Sequence, residues 1–156
     1  MSRLAEKYGH RGACLLGLGT VWVMFGISVL IEPQEPRPYV LHEMIPVELR
    51  AALWIGTGLL ACWYGMRGQE HDDTAGMVAL VALPVERLVS FAVSWVAHAA
   101  TTAASYIWPS VEVSGYDRGW YAASVWALIV VLLRIIAGWP NPRRVLNFPT
   151  EGDRRA

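Results

Sequence analysis

Gly12–Ile31 reads GACLLGLGTVWVMFGISVLI, twenty consecutive residues without a charged side chain. As a helix rising 1.5 Å per residue, such a stretch is about 30 Å long, the thickness of a bilayer's hydrocarbon core. A core helix in a soluble domain of this size keeps a polar face toward water, and this one has none. The whole chain agrees. Of its 156 residues 54% are hydrophobic and 17% charged, more apolar surface than so small a domain can hide. These observations point to an all-α membrane protein folded as a single domain.

Upstream of this stretch stand Arg3, Lys7 and Arg11. A basic start before an apolar run also describes a secretory signal. Here the run is too long for a signal core, and Glu32-Pro33-Gln34-Glu35-Pro36 offers no A-x-A-like cleavage site. An uncleaved first span over 12–31 is expected. A second span over 47–66 follows Pro46, a residue suited to a helix start. A last span over 119–139 ends at Pro140 and Pro142, which cannot continue a helix, and leaves a tail, 140–156. Arg134 near its end is long enough to snorkel to the interface. The third region reads two ways. Thr74–Leu83 is apolar but too short to span, and Pro84-Val85-Glu86-Arg87 interrupts it. The favoured reading is a short interfacial or re-entrant segment capped by Asp72 or Asp73, then a span over 85–107. The alternative is one long helix kinked at Pro84. Both put Glu86 and Arg87 near the cytoplasmic boundary.

Four spans with both termini cytoplasmic leave nine basic residues inside: Arg3, Lys7, Arg11, Arg67, Arg87, Arg143, Arg144, Arg154 and Arg155. Arg37, Arg50 and Arg118 fall outside. The excess of basic residues inside selects this orientation in a cytoplasmic (inner) membrane. Aromatic residues at expected interfaces agree: Trp54 and Trp63-Tyr64, Tyr106 and Trp108, Trp120-Tyr121, and Trp139.

Two helix faces stand out. On the third helix Glu86, Arg87, Ser90, Ser94, His98, Thr101, Thr102 and Ser105 fall within an arc of about 160°. Small hydroxyls dominate this stripe, which argues against a helix lying flat on anionic lipid. Either the hydroxyls bond to neighbouring helices and permit close packing, or the stripe lines a watery path with His98 as its titratable group. On the first helix Gly12, Gly19 and Gly26 recur every seven residues, a face along which another helix can approach closely. That face suits an intramolecular contact, a homo-oligomer or a membrane partner. Val23 lies off it.

Signals of catalysis are missing. Thirteen basic and thirteen acidic residues balance, so net charge attracts no nucleic acid. His42-Glu43 begins like a zinc-protease motif, but Pro46 occupies the position where that motif needs its second His. His10, His42, His71 and His98 are scattered, and Cys14 and Cys62 form no metal spacing. Glu70-His71-Asp72-Asp73 reads as a solvated turn before a helix. No catalytic residue, metal site or cofactor is expected; the partner is the lipid bilayer.

The basic start Met1–Arg11, the stretch Ile45-Pro46-Val47-Glu48-Leu49-Arg50-Ala51-Ala52-Leu53-Trp54 and the Arg118-Gly119-Trp120-Tyr121 entry to the last span complete a layout. It resembles the small multi-span membrane proteins encoded by phages of high-GC Gram-positive bacteria. Some small phage membrane proteins are holins, which accumulate in the host membrane and open it to a lytic enzyme. The resemblance therefore implies a non-enzymatic, holin-like permeabilising function. Its alternatives are an accessory protein that binds another membrane component, and a small transporter or channel subunit.

Overall fold

A computed structural model describes residues 2–32, 45–67 and 73–138, with side chains from residue 8 onward. Among them the secondary structure is entirely helical: α1 Ser2–Ile31, α2 Val47–Met66, α3 Thr74–Ile107 and α4 Gly119–Ala137. Three of these, α1 from Tyr8, α3 and α4, are long and apolar enough to cross a membrane. α2 is of similar length but less hydropathic, because Glu48 and Arg50 begin it and Gly56, Gly58, Trp63, Tyr64 and Gly65 dilute its aliphatic content. The motifs at His42-Glu43 and Glu70–Asp72, and the aromatic at Trp139, lie outside the described residues.

Each of the first three helices buries one stripe at alternating steps of three and four residues. On α1 it is Leu15, Gly19, Trp22 and Gly26. On α2 it is Arg50 with Ala51, Trp54, Gly58, Ala61 and Gly65. On α3 it is Met77, Leu80, Leu83 with Pro84, Arg87, Ser90 with Phe91, and Ser94. Such a period of about 3.5 residues keeps one seam facing its neighbours. α1 pairs closely with α2, α3 with α4, and α2 with α3, which makes an antiparallel bundle of two hairpins. Gly9 breaks the start of α1 at φ 76°, ψ 168°, a backbone conformation that glycine adopts without steric penalty.

The stripe on α3 passes unbroken through Pro84, and that corrects the favoured reading of residues 74–83. They are the first third of one helix, as in the alternative, and not a separate interfacial or re-entrant segment. Pro84 lacks the N–H that would bond to the Leu80 carbonyl. Burial of Leu80, Leu83 and Pro84 against the other helices holds the helix together across that lost bond. Asp73 occupies the N-cap position, yet its side chain caps nothing; it pairs with Arg11 at 2.8 Å instead.

Trp54 is also corrected. It does not stand in an interfacial belt but at the centre of the bundle, 1% exposed. Trp22 and Phe25 of α1 meet its ring edge-on at centroid distances of 5.3 and 4.7 Å. Trp126 of α4 lies 6.0 Å away, and the Arg87 guanidinium carbon sits 6.0 Å from the ring centroid. One side chain therefore touches all three other helices. Its π-face offers Arg87 a favourable site away from water, so Arg87, 8% exposed, lies within the bundle.

Candidate functional site

Glycine decides how closely α1 and α2 approach. Gly12 stands opposite Gly65, Gly19 opposite Gly58, and Gly26 opposite Ala51. A β-carbon added at Gly19 would lie 2.7 Å from both the Cys62 sulfur and the Gly58 carbonyl oxygen. One added at Gly26 would lie 2.9 Å from the Ala51 oxygen, and one at Gly12 3.2 Å from the Gly65 oxygen. The two backbones are thus in contact, as small residues permit where packing drives association. The Cys62 thiol donates to the Leu16 carbonyl across the same seam at 3.7 Å. Val23 is not outside this contact, because a β-carbon added at Gly58 would lie 2.9 Å from both its side chain and its backbone nitrogen. The matching series Ala51, Gly58, Gly65 was legible in the sequence by the same seven-residue step.

On α3 the structure divides the polar stripe into three parts. Glu86, half-buried, and Ser90, 1% exposed, lie within the bundle beside Arg87. Ser94, His98 and Thr101 face the connection between α3 and α4. The Tyr116 backbone N–H donates to the Ser94 hydroxyl at 3.0 Å. The Ser114 N–H donates to the Thr101 hydroxyl at 3.1 Å. That hydroxyl carries one proton, which serves the Ala97 carbonyl at 2.8 Å or the Ser114 carbonyl at 3.0 Å in turn. Ser105 donates to the Thr102 carbonyl of its own helix at 2.8 Å.

Gly115 explains how the connection comes so near. At φ 98° it adopts a backbone that L side chains rarely take. A β-carbon there would meet the Ser94 carbonyl oxygen and lie 2.7 Å from the His98 nitrogen. Farther along, a β-carbon on Gly119, the first residue of α4, would stand 2.8 Å from the Phe91 carbonyl oxygen and 2.9 Å from Trp95 Cβ. So the chain leaves α3 at Trp108, runs back along it past Thr101 and Ser94, and starts α4 beside Phe91. The twelve residues Val96–Ile107 extend about 18 Å past that point. At their tip Tyr106, Ile107 and Trp108 are 86%, 68% and 61% exposed.

At the opposite end Arg11 pairs with Asp73, three residues before Gly76. A β-carbon on Gly76 would lie 2.7 Å from Tyr64 Cβ and 3.2 Å from a Leu15 methyl, so the start of α3 is level with the Gly12–Gly65 contact. Among the described residues no three His, Cys, Asp or Glu side chains gather as metal ligands would. Cys14 and Cys62 are free thiols. Comparison of the chain with protein-family models, curated proteins and solved structures gives no match.

Proposed function

We propose that this chain is a non-enzymatic accessory protein of a cytoplasmic membrane, whose helical bundle anchors a projecting helix tip that docks another membrane component. The observation that carries this reading is the return of the α3–α4 connection along α3. Residues Thr74–Trp95, level with α1, α2 and α4, extend about 33 Å and match a hydrocarbon core. Val96–Trp108 then stands beyond it, with an aromatic tip of the kind enriched where proteins meet. α2 crosses with its neighbours in this reading, since it packs beside α1 along its length. Both termini are cytoplasmic. With Arg87 taken into the bundle, eight basic residues remain inside against Arg37, Arg50 and Arg118 outside, so the orientation is unchanged.

The channel reading loses support because the connection's own backbone engages Ser94 and Thr101 and crowds His98. Holin-like permeabilisation, implied by the phage-type layout, is the second reading. The observation that favours it is Gly17 and Gly56, on α1 and α2, which face open space. Small residues so exposed allow helices of further copies to approach closely. Regulated expression in a bacterial host, with a potential-sensitive dye and affinity purification from extracted membranes, separates the two. The accessory reading expects an intact membrane potential and one stoichiometric partner, lost on Tyr106→Ala with Trp108→Ala. Abrupt depolarisation without a partner would instead establish permeabilisation.

A further inference from the structure

Between α3 and α4 runs a groove of about 680 Å³ that opens outward. Its walls include Val78, Val81 and Val85 on α3, and Val130 and Val131 on α4. Val78 and Val131 are 62% and 52% exposed, so an occupant can enter from the surrounding lipid. At one end the lining changes character and becomes Thr74, Arg11 and Arg134. Arg11 is held by Asp73 at 2.8 Å. Arg134 is exposed and has no ion pair among the described residues.

We infer that this groove is a binding site for one anionic phospholipid, an acyl chain lying along the valines and the headgroup phosphate at Arg134 and Arg11. The inference rests on the membrane placement proposed above. Three features select this occupant. Thr74 to Val85 is twelve residues, about 18 Å of helix, a little over half of a hydrocarbon core of about 30 Å. The walls are apolar, as an acyl chain requires. The charge sits only at the end that the orientation assigns to the cytoplasmic face, where anionic lipids attract basic residues. With Asp73 offsetting Arg11, Arg134 supplies the uncompensated positive charge.

Native mass spectrometry of the full chain, extracted from membranes into a neutral detergent, tests this site. The probes are dioleoyl phosphatidylglycerol, dioleoyl phosphatidylcholine and free glycerol 3-phosphate. The wild type should retain one phosphatidylglycerol about fivefold more strongly than phosphatidylcholine, the scale of one interfacial arginine. Arg134→Gln, at an exposed position, should abolish that preference. Ala82→Phe, which fills the groove from an exposed wall position, should weaken both lipids. Circular dichroism checks that each variant is folded. Equal retention of the two lipids by the wild type, or an unchanged preference in Arg134→Gln, would overturn the site. So would displacement by glycerol 3-phosphate at the concentrations effective for the whole lipid, since the groove would then add nothing. Recovery of the chain in the soluble fraction would instead remove the membrane reading itself.

Discussion

The backbone N–H of Tyr116 donates a 3.0 Å hydrogen bond to the hydroxyl of Ser94, twenty-two residues earlier and fully buried. A loop amide thus takes its acceptor from the middle of a long helix, and the loop lies along that helix. Ser94→Ala leaves the amide without this partner, at a cost of about 1–2 kcal/mol. Thermal melting in detergent should show the loss. Ser105→Ala, whose hydroxyl serves its own helix at 2.8 Å, should melt like the wild type. Equal melting of all three proteins would count against the returned loop.

Gly115→Ala probes the same contact through the backbone. The residue must hold φ 98° while its new methyl meets the Ser94 oxygen and the His98 nitrogen. Backbone strain of this kind costs about 1–3 kcal/mol, and relief requires the loop to lift from α3. Proteolysis between residues 108 and 118 should accelerate in this variant. Unchanged cleavage and melting would show that the loop tolerates another course.

Two glycines on one helix give a paired test of the α1–α2 seam. Gly19→Leu forces a side chain against the Gly58 carbonyl and Cys62, where overpacking costs about 1–3 kcal/mol or more. At Gly17, only two positions away, an added β-carbon meets nothing within 4 Å, so Gly17→Leu starts into open space. It should melt at or above the wild-type temperature, because leucine favours helix over glycine by roughly 0.8 kcal/mol. The difference in melting between the two variants is the measurement. Its disappearance would remove the seam.

Cysteine accessibility distinguishes a span over 74–95 from one over 85–107. In a background with Cys14 and Cys62 replaced by alanine, Val78→Cys and Ala100→Cys are both exposed positions. A membrane-impermeant maleimide applied outside intact cells should label Ala100→Cys and not Val78→Cys. After the membrane is opened Val78→Cys should still resist, because lipid covers it. Labelling of Val78→Cys from the cytoplasmic side together with protection of Ala100→Cys would restore the separate segment.

Arg11 and Asp73 join the first helix to the start of the third at 2.8 Å, with each side chain about a quarter exposed or less. Arg11→Asp should destabilise the bundle by up to about 1 kcal/mol, as partly solvated pairs do. Adding Asp73→Arg should restore the loss. Additive destabilisation in the double variant would show that the pair carries no coupling.

Much of this architecture follows from local sequence alone. The uncharged run 12–31 decides the helical, membrane-spanning character, because length and composition suffice when no polar face exists. The α2 bounds, 47–66, follow from Pro46 and Arg67. The Gly12, Gly19, Gly26 repeat is a local property of one helix, visible before its partner is known. What faces what is not local. Pro84 looks like a stop when read alone, and only burial of Leu80, Leu83 and Pro84 against other helices keeps α3 continuous through it. Trp54 looks like an interfacial aromatic, since composition cannot tell a belt from a core. Its place among Trp22, Phe25, Arg87 and Trp126 is set by four helices at once. Likewise, the hydroxyls of Ser94 and Thr101 announce that α3 has a polar face, while their partners in the returning loop depend on Gly115 at a positive φ. Periodicity reports which residues share a face; tertiary packing, which sums contacts far apart in the chain, decides what that face meets.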